Sequence, residues 1–437
     1  MLHTPPPLQD LVRKVGLDRF WELFSQKLPD DRYFHWDEVR HRSPPEGMTV
    51  EEWWLSLRHH RQSQSKALPL ADAKGSSFTW FLTDRMLLSL HKLDMGAGGT
   101  VLMPAQVTNP ATRDQYYVSS LMEEAITSSQ IEGATTTREV ARDMLRSQRV
   151  PKDNSERMIL NNYLTMREME RWKNQKLTPE LVFDIHRKIT ENTLDDPTAA
   201  GRLRRADELV EVVDEQTEEV LHVPPPASTL EKRMQAMCDF ANQPDDSSPF
   251  VHPIIRGIIL HLWLAYDHPF KDGNGRTARA LFYWLMLNRG FWLFQFVSIS
   301  QILLRSRSRY GQAFLKTETD GNDLNYFLLH QLEVIEQAIQ SLHDYIARKT
   351  NEISEASRML KALDEFNHRQ EALLNRAIRR PGTVFTIESH QNSHGVSYAT
   401  ARADMLGLVE RGVLTQRKRG KAFVFEAPAD LEQRLRS

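Results

Sequence analysis

Residues 268–279 read His-Pro-Phe-Lys-Asp-Gly-Asn-Gly-Arg-Thr-Ala-Arg, and this short stretch gathers several groups suited to handling phosphate. His268 has the one side-chain type whose ordinary pKa lies near neutrality, so it can act as a base. Asp272 offers a hard carboxylate that suits Mg2+. Gly273, Asn274 and Gly275 can turn backbone N–H groups toward an anion, and Arg276 and Arg279 can clamp its oxygens. Each has a plainer explanation alone. Gly-Asn-Gly is commonly a turn, a histidine before proline is commonly structural, and helical arginines are commonly solvated. Their density in one segment favours a site that binds phosphate and moves a proton. It is not a P-loop, which needs G-x-x-x-x-G-K-[ST] after a strand. His252, His261 and His268 also lack the spacing of helical zinc-ligand pairs.

Positioning such a site needs a helix, a loop and a second helix. Apolar residues of 252–267 predict the first helix, which Pro269 stops, and Phe270 can anchor the loop in the core. Lys271 to Gly275 form the loop, and Arg276 opens a second helix to 288. A loop running into a helix N-terminus presents free N–H groups and a positive dipole end. Arg276 and Arg279, three apart, share a face of its first turn.

Around this centre, residues 1–77 read as an N-terminal region of helical pieces and loops, with Trp53 and Trp54 as packing residues. Residues 78–200 read as helices with apolar positions recurring at three and four: 78–93, Tyr116–Ile131, Arg157–Arg171 and Pro179–Leu194. Two β-rich runs in 208–223 flank Asp214-Glu215-Gln216-Thr217 and read as a hairpin; Pro224-Pro225-Pro226 forces an extended exit. Further helices are expected at about 228–242, 323–349 and 352–366, with 201–350 as the central domain and 351–367 as a linker helix. From 368 to 437 the pattern is a winged helix: helices at 368–379, near 384–391 and from Ser397 to Arg411, then strands Val413–Gln416 and Ala422–Phe425 joined by Arg417-Lys418-Arg419-Gly420-Lys421. The fold class is therefore mainly α, with one short β-hairpin and a C-terminal winged helix.

Composition narrows the setting. Forty per cent hydrophobic and 26% charged residues over 437 is ordinary for a globular chain, and a net charge of −2 gives no global field toward nucleic acid or anionic membrane. The single cysteine, Cys238, rules out an intrachain disulfide and reads as a buried small hydrophobe. The start, Met-Leu-His-Thr-Pro-Pro-Pro-Leu, lacks the basic and apolar regions of a signal peptide. The apolar stretch 280–304 is broken by Asn288-Arg289-Gly290, so no membrane span is expected and the cytoplasm is the expected location.

The 268–279 segment resembles the motif H-x-F-x-[DE]-G-N-G-R-x-x-R of the Fic (filamentation induced by cAMP) family at every defined position. His252-Pro253-Ile254-Ile255-Arg256-Gly257 upstream and Gly201-Arg202-Leu203-Arg204 also resemble Fic proteins, over roughly residues 80–345. The resemblance implies an all-α core with a short hairpin flap, and transfer of AMP from ATP to a protein hydroxyl with Mg2+. It implies that His268 deprotonates a Ser, Thr or Tyr hydroxyl and that Phe270 is structural. Asp272 would bind Mg2+, Gly273, Asn274 and Gly275 would cradle the α- and β-phosphates, and Arg276 and Arg279 would hold the β- and γ-phosphates. The flap, with Val210, Val212, Val220 and Leu221, would pair with an extended segment of the target protein.

A second motif lies far upstream. Ser128, Glu132 and Gly133 are similar to the family's inhibitory [ST]-x-x-x-E-[GN], on a helix of about 115–133. The resemblance implies that Glu132 pairs with Arg279 and displaces the γ-phosphate, within one chain. The reading is thus an autoinhibited protein adenylyltransferase that also modifies itself. The alternatives are a Fic-fold enzyme with another nucleotide donor or one that removes AMP, and a nucleotide-sensing winged-helix transcriptional regulator. Candidate DNA contacts are Ser397, Tyr398, Thr400 and Arg402 on the third helix of the winged helix and Arg417, Lys418 and Arg419 on its wing. A protein partner or homodimer contact is the competing use of that module.

Overall fold

Local capping explains where most helices begin. The structure, a computed structural model, describes residues 2–25, 32–95, 110–213, 217–362, 366–379, 382–419, 422–428 and 430–435. The chain divides into two units: Met1–Met103 with Asp114–Gln340, and Pro104–Arg113 with Ser341–Ser437.

In the first unit, α1 (Leu8–Val15), α2 (Leu17–Ser25) and α3 (Val50–Gln64) come first. Leu11, Phe34, Val39, Trp53 and Trp54 form a local core there, so the tryptophans are packing residues. Thr49 and Glu52 make a reciprocal capping box at the start of α3. Strands β1 (Lys66–Ala71) and β2 (Ser77–Trp80) then form an antiparallel hairpin, with Asp72 Oδ1 accepting from the Lys74 and Ser76 N–H groups in its turn. This hairpin corrects the expected helix from residue 78. Phe78 and Trp80 point inward at a spacing of two, Thr79 bridges to Asp323, and α4 (Asp84–Leu93) starts only after the Thr83 cap.

The chain continues through α5 (Pro110–Ile131), α6 (Arg138–Ser147), α7 (Asn154–Trp172) and α8 (Pro179–Ile189). Thr137, Asp153 and Thr178 cap α6, α7 and α8. The expected hairpin pairs only β3 (Val212–Val213) with β4 (Val220–His222); Val210 precedes it, and residues 214–216, with Asp214 and Glu215, lie outside the described residues. Next are α9 (Leu230–Asn242), α10 (Pro253–Asp267), α11 (Asn274–Asn288), α12 (Ile299–Arg305), α13 (Arg307–Thr319) and α14 (Asn325–Ala362). Helices α10 and α11 are buried almost all round and form the centre. Gly257 permits their close approach, since a Cβ there would lie 2.7 Å from Met286 Cε. Helix α14 replaces the two helices expected at 323–349 and 352–366, because no proline or glycine interrupts residues 349–352. No helix among the described residues is long and apolar enough to cross a membrane.

The second unit holds α15 (His368–Arg379), β5 (Val384–Phe385), α16 (Ile387–His394), α17 (Tyr398–Glu410), β6 (Thr415–Arg419) and β7 (Ala422–Glu426). The antiparallel sheet has the order β5-β7-β6. The element order of this unit is helix–strand–helix–helix–strand–strand. Strand β5 takes the start of the helix expected near 384, and β6 begins after Val413 and Leu414, which are core residues with Leu374, Met405 and Phe425. Asp404 fixes α17 to α15 and α16 by accepting from Arg369, Asn367 and His390. Burial pushes its carboxyl up, but these donors hold it down at about 2.

Candidate active site

His268 caps α10 in the left-handed conformation, at φ 43° and ψ 56°, with its N–H donating to the Leu264 carbonyl at 3.0 Å. This left-handed cap turns the chain off the helix end and into the loop. Its Nδ1 lies 3.1 Å from the Ala265 carbonyl, which can only accept, so Nδ1 carries the hydrogen. Burial lowers the imidazole pKa, against the Ala265 bond and Glu132, which pull it up. The ring is therefore neutral near pH 7, with its lone pair on Nε2, the form a general base needs.

Several residues that the motif alone does not reveal hold the loop after His268. Phe270 is wholly buried, and the His186 ring stacks on it at 3.7 Å and 9°. His186 Nδ1 accepts from the Gly201 N–H at 2.9 Å, so its Nε2 donates to the Asp272 carbonyl at 2.8 Å. Burial lowers this histidine to about 4 and keeps it neutral, as that donor–acceptor pattern requires. Arg204 donates from Nε to the His268 carbonyl at 2.9 Å and also bonds the Pro225 carbonyl. The Asn274 side chain closes the loop on itself, accepting from the Phe270 N–H at 2.9 Å and donating to the Phe270 carbonyl at 2.8 Å. The Asn274 amide is thus a clip for the loop, and only its backbone remains to face an anion.

Helix α11 opens at Asn274, two residues before the expected Arg276. Gly273 has φ +82°, and a Cβ on it would lie 2.7 Å from Thr190 Cγ2, so both conformation and space require glycine. Asp272 is exposed, its side chain at 57%, with Oδ1 accepting from the Gly273 N–H and Oδ2 at 3.4 Å from Arg276 Nη2. Arg276 is buried, and its Nη1 donates to the Ile189 carbonyl at 3.4 Å.

Arg279 is 1% exposed and reaches back to the end of α5. Its Nε donates to Ser128 Oγ at 2.8 Å, and its Nη2 donates to the Ser128 carbonyl at 2.9 Å and to Glu132 Oε1 at 3.0 Å. Burial pushes the Glu132 carboxyl up, but Arg279, Arg276 and His268 outweigh it and leave it below the usual range. Gly133, at φ +92°, lets the chain turn off the helix just after Glu132. The carboxylate lies directly over Gly275: a Cβ there would come within 2.1 Å of Glu132 Oε1. Ser128, Glu132, Gly275 and Arg279 therefore meet in one place, across nearly 150 residues of sequence.

The flap residues lie apart from this cluster of contacts. Val220 is exposed, and Val210, Val212 and Leu221 are half-buried. Cys238 is buried, and burial pushes its thiol up to about 12, so it has no part in the chemistry. Among the described residues no cluster of three or more His, Cys, Asp or Glu could hold a metal by itself. One exposed carboxylate next to a phosphate-sized helix N-terminus does suit Mg2+, which keeps waters and shares its ligands with substrate phosphates.

The helical domain thus brings together a neutral histidine, a helix N-terminus and two buried arginines. Residues 176–286 match the Fic/DOC family model. Over 178 residues it is 30% identical to a protein adenylyltransferase Fic of Nematostella vectensis, covering 41% of this chain and 36% of that protein. Over 166 residues it is 31% identical to a protein adenylyltransferase Fic of Drosophila willistoni, covering 37% and 31%. The chain spans about a third of the length of these curated relatives. A crystal structure of a Fic family protein from Desulfovibrio desulfuricans G20 shares the fold, with a TM-score of 0.53 at 19% identity over 80% of this chain and 97% of that one.

Proposed function

We propose that the chain transfers AMP from ATP to a hydroxyl side chain of a protein, itself included, and that Glu132 restrains this activity. The observation that carries the reading is the neutral His268, with Nε2 unprotonated, on the loop that leads into the N-terminus of α11. Support also comes from the names of the two relatives over the same domain.

In this reading His268 Nε2 takes the proton of the target hydroxyl as its oxygen attacks the α-phosphorus. The bond from that phosphorus to the bridging oxygen breaks, and pyrophosphate leaves with the electron pair. The N–H groups of the first turn of α11 and the guanidinium of Arg276 stabilise the charge that develops. Asp272 would hold Mg2+, which supplies positive charge to the phosphates when bound. Arg279 would bind the terminal phosphate once freed from Glu132. Solvent-exposed Val213 and Val220 and the edges of β3–β4, which pair with no other strand among the described residues, suit pairing with an extended target segment.

Incubating the full chain with Mg2+ and ATP labelled at the α- or the γ-phosphate tests the reaction. Label from the α position should reach protein, and His268→Ala should abolish it. Label from γ alone would point to another transfer, and intact labelling in His268→Ala would end the proposal.

For the second unit, the exposure of Tyr398 and Arg402 on α17 and of Arg417 and Lys418 on the wing favours binding to duplex DNA. The side chain of Arg419 lies outside the described residues. Substituting Arg417, Lys418 and Arg419 by alanine should remove a salt-sensitive affinity for duplex, measured by anisotropy. No binding to any duplex at low salt would leave a protein partner or a second copy as the use of this unit.

A further inference from the structure

We infer that His222 is a positioning residue that latches the base of the β3–β4 hairpin to the turn carrying His268, and that it does so as an imidazolium. The inference rests on the transfer reading above for its effect on the reaction, but its structural basis stands separately. The His222 side chain is 9% exposed. Its Nδ1 lies 2.7 Å from Glu318 Oε2 on α13, and its Nε2 lies 2.7 Å from the Tyr266 carbonyl, two residues before His268 on α10. A carbonyl cannot donate a hydrogen bond, and neither can a carboxylate. Both ring nitrogens must therefore carry hydrogens, which only the cation does.

The surroundings agree. Glu318 faces the ring from α13; Asp267 and the Tyr266 ring, 4.6 Å away, face it from α10; His268 follows directly in the chain. Asp267 is itself held by Arg233 and the Trp263 indole, which leaves Glu318 as the direct counter-charge. Burial lowers the His222 pKa, but the Glu318 and Tyr266 bonds raise it on balance.

Deprotonation would leave a lone pair facing an acceptor, so one of the two bonds must open. The sign follows. Histidine partnered in the folded state stabilises it fully below the ordinary histidine pKa, and that contribution is lost as pH rises through the raised value. The hairpin base then comes free of either α13 or α10. Transfer thus needs His268 neutral and His222 charged, which gives the rate an acid limb from the first and an alkaline limb from the second.

Glu318→Gln separates charge from geometry. Its carboxamide can donate to Nδ1 of a neutral His222, while Nε2 still donates to the Tyr266 carbonyl. Both bonds then survive at any pH. In the full chain, hydrogen exchange of residues 217–223, corrected for intrinsic rates, is followed from about pH 6 to about pH 9. Protection should fall by about tenfold in the unsubstituted chain, the scale of one charge-assisted bond, and persist in Glu318→Gln. In the Glu132→Gly background, self-labelling from α-labelled ATP with Mg2+ should decline over the same window, and the decline should vanish on adding Glu318→Gln. Flat protection in the unsubstituted chain, or parallel loss in Glu318→Gln, overturns the latch. An alkaline decline in labelling that Glu318→Gln leaves unchanged overturns its role in the reaction. The expected exchange pattern with no labelling by Glu132→Gly would uphold the latch and remove the transfer reading instead.

Discussion

Arg279 spends its guanidinium on Ser128 and Glu132, and in the proposed reaction a nucleotide phosphate would compete for it. It is buried against Ser128 and Glu132, so removing Glu132 leaves a buried guanidinium short of its charge partner, a loss of about 3–5 kcal/mol when such a pair is broken. A nucleotide phosphate could restore that partner. A second carboxylate holds the same helix in place. Glu124, on α5 two turns before Glu132, is 2% exposed and accepts from the Ser300 N–H at 3.0 Å, Ser298 Oγ at 2.9 Å and the Tyr283 hydroxyl at 2.9 Å. Burial raises its pKa against these donors. Glu124→Ala should lower stability by about 3 kcal/mol, read from the denaturation midpoint, because several buried donors lose their acceptor. It should also raise labelling toward the Glu132→Gly level. An unchanged midpoint would show that this clamp contributes nothing.

At the scale of elements, some of the fold was legible and some was not, for physical reasons. The helix–loop–helix at 253–288 was legible because Pro253 and Pro269 punctuate it and its helices are apolar throughout. The β1–β2 hairpin was missed because Phe78, Trp80 and Phe81 fall next to the apolar pattern of α4 and look like its first turn; the signal against it was Thr83 as an N-cap with Asp84. The single helix α14 was split because its polarity changes near residue 350, although nothing there breaks a backbone. In the site, residues 268–279 stand out by type and density, whereas Ser128, Glu132 and Gly133 are named only through the resemblance. His186, Arg204 and His222 could not be assigned, because their roles depend on which carbonyl each ring or guanidinium meets across the fold. Their positions give hints: His222 ends the second strand of the flap, and Arg204 lies in the Gly-Arg-Leu-Arg segment noted for its resemblance.

For the molecule as a whole, the buried histidines fix a pH limit. Burial lowers His35 and His186 to about 4 and His261 to about 3. All three are essentially unexposed. The unfolded chain takes up protons at these residues near pH 6.5 while the folded chain resists them, so stability is lost as pH falls from there toward the folded values. At pH 5 each costs about 2 kcal/mol. Calorimetry should therefore show the melting temperature of the first unit falling by roughly 5–10 °C between pH 7 and pH 5. A flat profile would mean that these rings reach solvent or exchange partners on acidification.

In the proposed reaction Glu132 holds Arg279 away from nucleotide. The most direct measurement compares the rate at which label from α-labelled ATP enters protein in the unsubstituted chain and in Glu132→Gly, with Mg2+ and at equal concentration. Losing the carboxylate should raise the rate by about tenfold or more. Equal rates would contradict it, and the pair at 3.0 Å would then be a structural contact with no hold on the reaction.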